Sequence, residues 1–158
     1  MAVTELGRLP GFRVGAVGPL YICVFHQSAT LERLELLEQR QAALLVSQPR
    51  LYALNVVVGT SILAPGPEVR LKSAALQTRF DDTTVASATV LAVRGLGAVI
   101  ARGFLAGLAL VAGASKPTQV FKTVAEAVTW LARLPGAPSQ LAANRDLVAD
   151  VEAFVAET

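Results

Sequence analysis

Side chains suited to catalysis are scarce in this sequence, so the first question is whether any two of them can meet. His26 is the single histidine and Cys23 the single cysteine. An imidazole titrates near neutrality and serves as a general base when a nucleophile or a carboxylate is held beside it. Cys23 stands three residues earlier, inside the apolar run Tyr21 to Phe25, which reads as a strand. Positions an odd number apart on a strand point to opposite faces, which disfavours a Cys–His dyad. Cys23 is therefore read as a small buried hydrophobe and His26 as a structural or surface histidine. One cysteine also excludes a disulfide framework, a Cys-x-x-Cys redox pair and a zinc site of the usual Cys/His type.

Two further clusters invite a chemical reading. Asp81-Asp82 is a carboxylate pair, but no other acidic residue lies near it in sequence, so it reads as the solvated end of a helix. Gly95-x-Gly97 precedes an apolar helical stretch, and helix-start amides attract anions. It lacks the third glycine of a dinucleotide fingerprint, and no Lys-Ser or Lys-Thr follows as in a Walker loop. No catalytic residue, no cofactor and no metal ligand is assigned on this basis, and the chain is expected not to be an enzyme.

The composition narrows the class further. The chain has 158 residues, 53% of them hydrophobic and 16% charged, with a mean hydropathy of +0.52. That suits one domain with a substantial core and excludes disorder. Lys and Arg number 14 against 12 Asp and Glu, a net charge of +2 with signs alternating along the sequence. A nucleic-acid partner would need a denser basic footprint.

The run Gly95 to Ala114 has the length of a membrane span, about 20 residues. Arg102 lies well inside it, and an arginine near a bilayer centre costs about 2.5–3.5 kcal/mol. No membrane span is therefore expected. The opening MAVTELGRLPGFR has Glu5, Pro10 and no apolar core, so it does not read as a signal peptide. The apolar excess is expected to cover protein, in a homo-oligomer.

The elements follow from periodicity. Phe12 to Val17 and Tyr21 to Phe25 flank Gly18-Pro19 and predict a hairpin. Leu31, Leu34, Leu37, Leu44 and Leu45 recur at helical spacing, which predicts an amphipathic helix from Thr30 to Ser47, capped by Thr30 and stopped by Pro49. Tyr52 to Val58 predicts a strand covered on both faces. A second helix opens at Pro67, with Val69, Ser73, Leu76 and Phe80 inward. Thr84 to Val93 predicts another strand, and residues 98 to 111 a helix whose Gly103 and Gly107 allow close approach beside Arg102. That helix is the expected dimer face. Thr118 to Phe121 fits a short edge strand, and Thr123 with Glu126 forms a capping box for the helix that carries Val128 and Leu131. A last helix from Asn144 turns Leu147, Val151 and Phe154 inward. Strands alternating with helices predict one α/β domain over residues 1–158. Its sheet is mixed, mostly parallel, of four to five strands, with residues 138–158 a helical extension.

Two stretches carry a family pattern. One is the paired-strand opening followed by the Leu-rich helix and the Val-rich strand Ala53 to Val58. The other is Val120-Phe121-Lys122-Thr123-Val124-Ala125-Glu126-Ala127-Val128-Thr129-Trp130-Leu131. This string resembles the ending of proteins related to STAS domains, the anti-sigma-factor antagonist family. The resemblance implies a small cytoplasmic α/β domain that binds proteins, often a switch kinase or an anti-sigma factor, with no cofactor. Phosphorylated members have Asp-Ser-Ser-Gly or Asp-Ser-Thr-Gly after the Val-rich strand, where this sequence has Gly59-Thr60-Ser61-Ile62-Leu63-Ala64-Pro65-Gly66-Pro67. The motif is absent, so no phosphorylation site is carried over.

The expected function is a non-catalytic protein-interaction or regulatory module, homodimeric, with an unidentified protein partner. Thr60 and Ser61 lie at a possible recognition edge, because α/β sheets bind ligands beyond the carboxyl ends of their strands. Arg102, Gly103 and Gly107 mark the dimer face, and Trp130 is either a contact residue or core. Two alternatives stand beside this reading. One is a small-molecule or lipid binder whose cavity is lined by residues 86–114, and the other is a small enzyme using His26.

Overall fold

The structure is a computed structural model and describes residues 2–59, 65–92 and 116–157. Strands β1 (Thr4–Leu9), β2 (Phe12–Val17) and β3 (Leu20–Phe25) are followed by helix α1 (Leu31–Leu44), β4 (Leu51–Val58), α2 (Pro67–Arg79) and β5 (Thr84–Ala92). Beyond residue 115 come β6 (Thr118–Phe121), α3 (Val124–Ala132), the short α4 (Ser139–Ala142) and α5 (Leu147–Ala156). The strands form one sheet in the order β1-β2-β3-β4-β5-β6. The pairs β1/β2 and β2/β3 are antiparallel, and β3 through β6 run parallel. The mixed, mostly parallel α/β sheet expected from the sequence is present, with β1 as an additional sixth strand.

Local chemistry explains the boundaries. The Thr30 hydroxyl accepts from the Arg33 amide at 3.2 Å and opens α1. Thr123 does the same for Glu126 at the start of α3, also at 3.2 Å. Pro67 occupies the first turn of α2, where its missing amide costs nothing. Helix α1 stops at Leu44, earlier than Ser47, because the Ser47 hydroxyl and amide both donate to the Leu44 carbonyl and close a turn there.

Alternation along the strands builds two cores. On one face, Ile22, Val24, Leu54, Val56, Ala88 and Val90 pack against Val128 and Leu131 of α3 and Val151 and Phe154 of α5. On the other, Phe12, Val14, Tyr21, Cys23 and Leu51 meet the leucines of α1. Leu34, Leu76 and Phe80 then join α1 to α2. Strand β4 is less symmetrically covered than the sequence predicts: Tyr52, Leu54 and Val56 are buried, whereas Ala53, Asn55 and Val57 are half-buried. Glu38 ties α1 to α2, its carboxylate held by Lys72 at 2.8 Å and Arg79 at 2.7 Å, and these cations lower its pKa, Lys72 first.

Arg13 is the most deeply buried charge among the described residues, at 3% exposure. Its guanidinium donates to the Phe154 carbonyl at 2.6 Å and the Glu157 carbonyl at 3.2 Å. It also reaches the carboxylates of Glu5 at 2.7 Å and Glu157 at 2.9 Å. It stacks 4.1 Å from the centre of the Phe154 ring. One side chain thus satisfies carbonyls that the end of α5 leaves without helical partners and places a cation at the negative end of the helix dipole. The Glu5 carboxyl is held below its ordinary pKa, first by Arg8 and then by Arg13.

Candidate functional site

The carboxyl ends of the parallel strands lie at one end of the sheet, and the elements there are locked together. After β3 the chain passes His26, whose amide donates to the Gly11 carbonyl at 2.9 Å, and Gln27, whose amide donates to the same oxygen at 3.2 Å. Gly11 turns β1 into β2 with a φ of +72°, where an L side chain is strained. Arg33 of α1 fixes the same corner, donating to the Pro10 carbonyl at 2.8 Å and the Gln27 side-chain oxygen at 2.7 Å. Beyond β4, Gly59 has a φ of +129°, and a Cβ there would stand 2.9 Å from the His26 carbonyl oxygen. A cleft of about 500 Å³ opens beside this corner, lined by Leu9, Pro10, Ala29, Leu31, Arg33 and Val69 among others.

The two residues with the most chemical potential are placed apart in function. Cys23 is 1% exposed and lies in the core beneath α1 with Phe12, Val14, Tyr21 and Leu51. Desolvation pushes its thiol pKa up to about 12, against a lowering by the neighbouring Tyr21 hydroxyl. That hydroxyl donates to the Leu37 carbonyl at 2.8 Å. A thiol so protonated and enclosed is a poor nucleophile. The native protein at pH 8 is therefore expected to leave an aromatic disulfide reagent unreacted, with one thiol released once denaturant is added. Rapid labelling of the native protein would contradict the placement. His26 is half-buried beyond the end of β3, and its Nε2 is enclosed with no hydrogen-bond partner among the described residues.

Of the six contact residues expected from the sequence, Trp130 is described. It is half-buried on α3, packed on the main core, with its ring 5.4 Å from that of Phe121. Thr60, Ser61, Arg102, Gly103 and Gly107 lie outside the described residues, as does the apolar helix expected at 98–111. Sequence reasoning missed Arg33 as the fastener of this corner, although Pro10-Gly11 is a turn dipeptide that marks where β1 ends. Among the described residues no helix is long and apolar enough to cross a membrane. No group of three or more His, Cys, Asp and Glu among them is placed to hold a metal ion.

No protein-family model matches the sequence, and no curated protein matches it. One solved structure does share its architecture: an uncharacterized protein of the DUF3478 family from Shewanella loihica, described as having a SpoIIAA-like fold. The similarity covers 82% of this chain and 92% of that one, at 13% identity and a TM-score of 0.50. With the strand order and the two helical layers above, it identifies this chain as an α/β domain of the SpoIIAA-like, that is STAS-like, fold.

Proposed function

We propose that this chain is a non-catalytic protein-interaction module of the cytoplasm that works as a homodimer and presents the edge beyond Gly59 to a protein partner. The observation that carries the reading is apolar surface left on the outside: Val46 is 90% exposed, Leu71 73%, Val120 41% and Leu31 39%. Covering such side chains with another protein surface removes them from water at about 25 cal/mol per Å². Sedimentation of the full chain from low to high micromolar concentration tests the proposal. The expected result is a species of twice the 16.5 kDa protomer mass. A monomer at every concentration would remove the homodimer.

A second reading, a small-molecule or lipid binder, rests on the cleft between Pro10, Leu31 and Val69. The cavity expected along residues 86–114 falls largely outside the described residues, of which Ala86, Ala88 and Val90 are fully buried in the core. Native mass spectrometry that retained a small ligand, lost on Leu31→Asp, would favour it over a pure interaction module.

A further inference from the structure

The two edges of the sheet are built differently. β1 carries Glu5 and Arg8, and its register with β2 slips between Glu5 and Gly7. Charges and a bulge are the ordinary devices that stop another strand from adding to an edge. β6, at the other edge, reads Thr-Gln-Val-Phe, with no charge, no proline and no register shift in its pairing with β5. Its Thr118, Gln119 and Val120 are exposed on both faces.

The ladder fixes which backbone groups face outward. The Ser87 amide donates to the Pro117 carbonyl at 3.0 Å, and Ser87 is in register with Thr118. In a parallel pair a residue bonds to the neighbours on either side of its counterpart. Pro117, Gln119 and Phe121 therefore turn their backbone groups toward β5, whereas the N–H and C=O of Thr118 and Val120 point away from the sheet.

We infer that this edge is the seam of the homodimer, with β6 pairing antiparallel to β6 of a second copy about a two-fold axis at Gln119. The inference rests on the homodimer proposed above and names its interface. The register is self-complementary: Thr118 meets Val120 of the partner subunit and the reverse, so the outward amides and carbonyls are exchanged in closed pairs. Two β-branched residues face each other across the seam in each such pair. The strand carries no charge to repel its copy. Lys122 comes opposite Lys116 of the partner subunit, an ammonium that Asp81 already neutralises within its own chain. Phe121 and Trp130, in ring contact, flank the seam on the α3 side and supply apolar area beside it. A seam this short covers less than the roughly 1,200 Å² of a standard interface, so the dimer is a weak one with a micromolar dissociation constant.

The test compares the full chain with two variants at concentrations where the wild type is mostly dimeric. In Val120→Pro the lost amide is one that points away from β5, so the internal ladder and the melting temperature of the dilute monomer stay as they are, while the dissociation constant rises at least tenfold. Gln119→Cys places two thiols opposite each other at the axis, about 4.5 Å apart between α-carbons, close enough to bridge. Mild oxidation is expected to give a covalent dimer well ahead of a control cysteine at the exposed Gln77. If the wild type dimerises but Val120→Pro keeps its affinity and Gln119→Cys bridges no faster than the control, the seam lies elsewhere and this inference falls while the homodimer stands. A wild type that never dimerises removes both. Should Val120→Pro fail to fold, the bridging rate of Gln119→Cys alone decides.

Discussion

Arg13→Ala is expected to destabilise the protein by about 3 kcal/mol, because it strips the end of α5 of its buried donors. Glu5 and Glu157 keep 37% and 64% of their side chains in water, so losing the cation costs them little. The cost comes from the Phe154 and Glu157 carbonyls at the end of α5, which lose their donor, and from the gap left against the Phe154 ring. For a domain of this size that corresponds to a fall in melting temperature of roughly 6–12 °C. Arg13→Lys keeps a charge but not the planar fork, and is expected to lose about half as much. Thermal unfolding followed by circular dichroism checks both; a change below about 1 kcal/mol for the alanine variant would mean that α5 is held by its apolar face alone.

Gly15→Val is expected to cost about 2–3 kcal/mol through the same helix. A Cβ on Gly15 would stand 2.7 Å from Phe154 Cζ, 2.8 Å from Val3 Cγ1 and 3.0 Å from the Thr4 carbonyl oxygen. Neither a core ring nor a neighbouring strand's backbone moves cheaply, so α5 is pushed off the sheet. Shortening the ring should return part of the loss: Phe154→Leu in the Gly15→Ala background is expected to be less damaging than the two single changes summed. Strict additivity in urea unfolding would show that the two sites do not touch.

What the sequence made legible follows the range of the interaction. The helix starts at Thr30, Pro67 and Thr123 depend on residues within one turn, and all three stand where local chemistry puts them. The hairpin around Gly18 is similarly local, with a φ of +53° at that glycine. β1 escaped because a bulge after Glu5 breaks its period of two and because half of its residues face water. Arg13 was invisible for a different reason. Its carbonyl partners lie 141 and 144 residues later in the chain, and an arginine on a strand reads as an outward charge until that contact is known. At the site, the position of Cys23 in the core followed from its place in an apolar strand, whereas the fastening of Pro10 by Arg33 spans 23 residues and has no sequence signature. Five of the six contact residues chosen from the sequence, all but Trp130, fall outside the described residues.

Pairing of β6 with a second copy is the claim on which the account of the interface turns, and amide exchange at that strand reads it most directly. The Thr118 and Val120 amides point away from β5, so in an isolated protomer they exchange at nearly unprotected rates, while the Phe121 amide, turned toward β5, is protected. The account predicts that raising the protein concentration into the high micromolar range slows Thr118 and Val120 and leaves Phe121 unchanged. Rapid exchange of both at every concentration would contradict it.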